Sequence, residues 1–183
     1  MKQFSIFLFF IFINLYSFSQ MDTIHWSSGK PLTWNDFKGD VPDTATENGT
    51  AEIKILASSK NEAKYSLSNC YVVTVFDWRN SWVKPKMDSD TYLQYFQVMF
   101  DIGELYSRKL RKSIKEIKDD PYPVSFNEKC KAAQIGQMDR LKQFKKESKN
   151  GTFETAITRW HENVKTELLE LDAFKQAPVK PAK

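Results

Sequence analysis

Between Ser89 and Lys118, apolar residues recur at Tyr92, Tyr95, Phe96, Met99, Ile102, Tyr106, Leu110, Ile114 and Ile117. Steps of three and four residues hold these side chains on one face of an α-helix through the whole stretch, which predicts a long buried helix. Asp88, Ser89 and Asp90 supply cap and first-turn chemistry at one end. Arg108, Lys109, Arg111, Lys112 and Lys115 load the other end with the cations that a helix C-terminus favours. A helix apolar along this length has to be covered by the rest of the chain.

Upstream, Thr23–Trp26 reads as a short strand, and Trp34 and Phe37 are large apolar anchors with turn-forming Asn35 and Asp36 between them. Ala51–Ser58 alternates apolar and charged residues, as does Lys64–Ser68, and Ser59–Glu62 between them predicts the turn of a β-hairpin with one wet face. Tyr71–Phe76 is apolar on both faces, the pattern of a central strand covered on either side. Downstream, Pro121 and Pro123 break the long helix. A second helix is expected over Asn127–Lys149, burying Cys130, Ala133, Met138, Leu141 and Phe144, with Asn150-Gly151 as a left-handed cap. A third helix carries Phe153, Ile157, Trp160, Val164, Leu168, Leu171 and Phe174 at helical spacing. The expected class is α+β: a small antiparallel-rich sheet packed on a long central helix, with two further helices.

Residues 1–19 read as a signal peptide, with Lys2 ahead of an apolar run from Phe4 to Tyr16 and small residues at Ser17 and Ser19. That run is too short for a spanning helix, so export to the periplasm or beyond, without stable membrane insertion, is the expectation. Residues 20–175 form one expected domain, long enough to bury a core, and 176–183 an expected disordered tail. The formal net charge of +4 becomes +3 without Lys2, and the lysines are spread along helices, which gives no case for nucleic acid. Cys70 and Cys130, the only cysteines, are expected to pair in an oxidising compartment; two separate buried thiols are the other reading. They lack the short spacing of a zinc motif.

The run Leu93–Leu110, LQYFQVMFDIGELYSRKL, resembles the active-site helix of a bacterial family of predicted secreted zinc-dependent proteases, a domain family of unknown function with a zincin-like fold. There the helix reads approximately L-x-H-E-Q-x-H-F-D-I-x-E-x-x-x-R-K-L. Gln97, Phe100, Asp101, Ile102, Glu104, Arg108, Lys109 and Leu110 match, while Tyr95 and Met99 stand at the two histidine positions and Phe96 at the glutamate. Two further stretches are similar: Leu32-Thr33-Trp34-Asn35-Asp36-Phe37-Lys38-Gly39, and Ser81-Trp82-Val83-Lys84 ahead of the helix. The family's histidine-glycine pair before a tryptophan, whose histidine the resemblance suggests as a third ligand, corresponds here to Asn150-Gly151 ahead of Trp160.

Two histidines at i and i+4 grip one Zn²⁺ and the adjacent glutamate works on its bound water. A phenol, a phenyl ring, a thioether and an amide cannot replace that set. The resemblance therefore implies a degenerate site at Tyr95, Phe96, Met99 and Asn150, with no metal, no cofactor and no catalytic residue. The expected function is an exported, non-catalytic module that binds a protein, peptide or glycan in the cell envelope. The competing reading is a hydrolase with a relocated site, using His25 or His161 with Glu104 or Asp101. His161 itself is expected to be a solvent-facing or satisfied helix residue beside the apolar stripe of its helix.

Overall fold

The computed structural model describes residues 22–59, 70–117 and 124–175. The expected signal peptide, the second hairpin strand Lys64–Ser68 and the tail 176–183 lie outside these residues.

Three strands, β1 (Thr23–His25), β2 (Gly49–Ser59) and β3 (Cys70–Val83), form an antiparallel sheet in the order β1-β3-β2. The central position of β3 follows from its sequence, since Val72 to Phe76 are all buried. An expectation changes here: Ser59 belongs to β2 instead of a turn. Among the described residues β2 pairs with β3, from Ser59↔Cys70 to Gly49↔Val83. β3 also runs on through Asp77–Val83, because β2 follows it past an irregularity between Thr50 and Glu52, where the Ser81 hydroxyl accepts from Glu52 N and donates to Asp77 O.

The long helix, α1, spans Asp90–Lys115. Ser89 caps it by accepting from Tyr92 N at 3.2 Å, and Lys112 and Lys115 lie in its last turn. Every residue from Val98 to Leu105 is buried, so α1 is enclosed on all sides and not only along its apolar face. The sheet approaches it at Gly103, where a Cβ would stand 2.7 Å from Thr74 Cγ2 and 3.0 Å from Ile53 Cγ2. Only a residue without a side chain lets the two backbones come this close.

The other sides of α1 are covered by α2 (Val124–Glu147) and α3 (Glu154–Glu170). Phe126, Ala133, Gln137, Phe144 and Ser148 are the buried residues of α2 and its C-terminal turn, so the inner face passes through Gln137. Met138, expected inside, is 68% exposed, because it lies one residue, about 100°, round the helix from that face. Phe153, expected on the apolar stripe of α3, precedes the helix and is 45% exposed. Between the helices the chain turns through Lys149, Asn150 and Gly151 with φ of 49°, 53° and 91°. Asn150 N donates to Lys145 O at 2.8 Å and Phe153 N to Ser148 O at 3.0 Å, closing the end of α2.

A short 3-10 turn over Trp34–Asp36 covers the start of α1. Asp36 Oδ2 accepts from the backbone and hydroxyl of Thr33 at 2.7 and 2.9 Å, which orients Trp34 and Phe37. Phe37 then packs 5.0 Å from Phe96 and 5.1 Å from Phe76, centroid to centroid. A second 3-10 turn, Asp172–Phe174, follows α3. Among the described residues, no helix is long and apolar enough to cross a membrane.

Candidate functional site

The positions that the zinc helix would use are packed. Phe96 is 1% exposed and Met99 3%, both inside the main core with Phe76, Phe100 and Ile157. Tyr95 is stacked against Tyr92 (5.6 Å, 2° between planes) and against Phe144 (5.2 Å, 30°). Burial, with Tyr92 alongside, drives its phenol well above the usual range and keeps it protonated. A neutral phenol, a buried thioether and a phenyl ring do not fit Zn²⁺, which takes thiolate, imidazole and carboxylate ligands.

Asn150 is brought near by the left-handed turn after α2. Gly151, next to it, sits so close that a Cβ would stand 2.5 Å from Tyr92 Cε2 and 3.0 Å from Tyr95 Cδ1. Tyr95 and Asn150 line one cleft of about 560 Å³ together with Glu47, Asn48, Tyr92 and Lys145. Phe96 and Met99 are not among its lining residues. The chemistry facing the cleft is therefore amide, phenol, hydroxyl, carboxylate and ammonium, more polar than the aromatic and thioether lining that the four degenerate positions imply.

A second cleft, of about 300 Å³, lies between α1, α3 and the segment after β1. Gln97, Asp101 and Arg108 line it from α1, spaced by four and seven residues and so on one face. His161, Lys165 and Leu168 line it from α3 at similar spacing, and Trp26 and Pro31 form the opposite wall. Asp101 Oδ1 accepts from Trp26 Nε1 at 2.7 Å and Gln97 Nε2 at 2.8 Å, while the Gln97 carbonyl accepts from Leu32 N at 2.8 Å. Burial pushes the Asp101 carboxyl up; those two bonds and nearby His161 pull the other way. The Arg108 guanidinium lies 5.4 Å from the Trp26 ring centroid.

The four groups of the relocated-site reading separate here. His161 and Asp101 share the second cleft, and His161 is half-buried with an Nδ1 that has no hydrogen-bond partner, so it is neither fully solvent-facing nor satisfied at that nitrogen, the two alternatives that its place beside the stripe implied. Glu104 is 3% exposed and turned toward the sheet, where it binds Arg108 and Arg111. His25 pairs with Val75 across the sheet and lines neither cleft. Among the described residues, no three His, Cys, Asp or Glu side chains are grouped to hold a metal. Trp26, Gln97, Lys165 and Lys175 went unread as cleft residues in the sequence. The signal was the polar i, i+4 pairs Gln97/Asp101 and His161/Lys165, each beside the apolar stripe of its helix.

Cys70 opens β3 and Cys130 lies on α2, and both pack against a small cluster of Ile55, Val72, Leu110, Ile114, Phe126 and Ala133. The expected bridge would join two side chains of this one cluster. Burial raises the Cys130 thiol, and Cys70 is near enough to raise it further.

These elements define the class as α+β, a three-stranded antiparallel sheet with three helices. Comparison with protein-family models, with curated proteins and with solved structures returned no match.

Proposed function

We propose that this chain is an exported, non-catalytic relative of the zincin-like secreted metalloproteases, working by binding a protein, peptide or glycan of the cell envelope. The observation that carries the reading is the burial of Phe96 and Met99 at 1% and 3% exposure, beneath a stacked Tyr95. Scaffold residues that resemble the family surround a position whose ligand and base chemistry is replaced by packing. The open cleft beside it offers the Tyr92 and Tyr95 rings, the Asn48 and Asn150 amides and the Lys145 ammonium. Such groups stack on sugar rings or hydrogen-bond peptide backbone. Elemental mass spectrometry of protein purified without chelator tests the reading. Far less than one equivalent of zinc is expected, with no chelator-sensitive proteolysis, and stoichiometric zinc rejects it.

A hydrolase with a relocated site is the second reading, favoured by the one cleft that holds both His161 and Asp101. Loss of a measured hydrolytic activity in both His161→Gln and Asp101→Asn would establish it.

A further inference from the structure

We infer that the cleft between α1 and α3 is a binding site for a carboxylate carried on a small apolar body. Two acids and three permanent cations line the cleft, and both acids are engaged: Asp101 accepts from Trp26 and Gln97, and Asp172 lies 3.5 Å from Arg108. Arg108 is 2% exposed and committed to Glu104 and the Leu168 carbonyl. Lys165 and Lys175 are exposed and have no ion pair among the described residues. His161 adds a buried, unpartnered Nδ1 at the same cleft. The groups left without an ion pair or hydrogen bond are therefore the two ammonium groups and the His161 Nδ1, and the two ammonium groups suit an anion.

The walls limit what carries that anion. Trp26, Pro31, Leu168 and Leu169 give an apolar surface, and Leu169 is 66% exposed at its edge. The Trp26 indole is fixed at its edge by the bond to Asp101 and over its ring by the Arg108 guanidinium, so it is a preorganised flat wall of the cleft. At about 300 Å³ the cleft is at the small end of ligand sites, room for one apolar side chain or a short acid. A peptide C-terminus ending in an apolar residue and a free aromatic or aliphatic acid share this chemistry. Whole sugars and phosphates lack the apolar body.

The inference names a ligand class for the binding function proposed above but uses a cleft apart from the degenerate positions, so the two fail separately. N-acetyl-leucine and 3-phenylpropionate are titrated into chelator-treated full-length protein, each beside its primary amide, with the His161 imidazole resonances as readout. The acids are expected to bind at least tenfold more tightly than the amides. Lys165→Gln with Lys175→Gln should weaken the acids by tenfold or more and leave the amides and the melting temperature unchanged. Equal affinity for acid and amide, or undiminished acid binding by the double variant, overturns the inference. A tripeptide acid ending in leucine that binds more tightly than 3-phenylpropionate assigns the site to peptide ends, and the reverse order to free acids. Stoichiometric zinc in untreated protein would remove the non-catalytic reading without touching the comparison of acid with amide.

Discussion

Glu104 and Arg108, four residues apart on α1, form an ion pair of 3.0 Å at 3% and 2% side-chain exposure. Around them Arg111 donates to Glu104 at 3.0 Å and to the Val72 and Phe174 carbonyls, Arg108 reaches the Leu168 carbonyl at 2.6 Å, and Thr74 donates to Glu104. One carboxylate thus holds two guanidinium groups that tie α1 to β3, to the end of α3 and to the turn after it. This accounts structurally for Arg108 and Arg111, which charge patterning alone assigns to a helix terminus, and for Glu104, which the relocated-site reading took as a candidate.

Glu104→Ala is expected to cost roughly 3–5 kcal/mol, because it leaves two buried cations without their anion. Urea unfolding of the variant measures it, and a loss under about 1 kcal/mol would mean that water replaces the carboxylate freely.

Asp101 sets a pH dependence. Burial holds its carboxyl above the ordinary carboxylate range, with Trp26, Gln97 and His161 offsetting only part of the effect. The folded protein keeps a proton that the unfolded chain has released, so this group's contribution is most favourable below the unfolded value. It is lost as pH rises from there through the folded value. Asp101→Asn keeps an acceptor for both donors and removes the charge. The variant should match the parent in acid and melt higher at neutral pH, as thermal melts across pH 3 to 8 will record.

Gly151 has φ of 91° and lies against the Tyr92 ring. Gly151→Ala combines backbone strain with a side-chain clash and is expected to cost ~1–3 kcal/mol. It should also shift the Tyr92 and Tyr95 ring resonances, whereas Thr152→Ala, at an exposed neighbour, should leave them in place.

Cys70 and Cys130 pack on one cluster and influence each other electrostatically. Oxidation is expected to join them. Closing a loop of about sixty residues would add roughly 4 kcal/mol on the chain-entropy model. Intact mass before and after reduction decides it, and two titratable thiols in protein exported to an oxidising compartment would refute it.

The sequence by itself determined the elements whose signal is local. The apolar spacing of α1 and α3, the Ser89 cap, the doubly apolar run at the centre of β3 and the left-handed turn at Asn150-Gly151 are each written within one or two turns of chain. Tertiary structure decided what depends on partners distant in sequence. β2 pairs with β3, a register set by which face α1 buries, and Met138 gives its inner place to Gln137 because α1 dictates which face of α2 is covered. The second cleft needed the same information. Gln97, Asp101 and Arg108 are a polar face on one helix and His161 and Lys165 on another, and only the packing of α3 against α1 turns two ordinary polar faces into one cavity. Periodicity assigns a residue to a face of its own element; which faces meet is settled by burying the largest apolar area at once, a property of the whole chain.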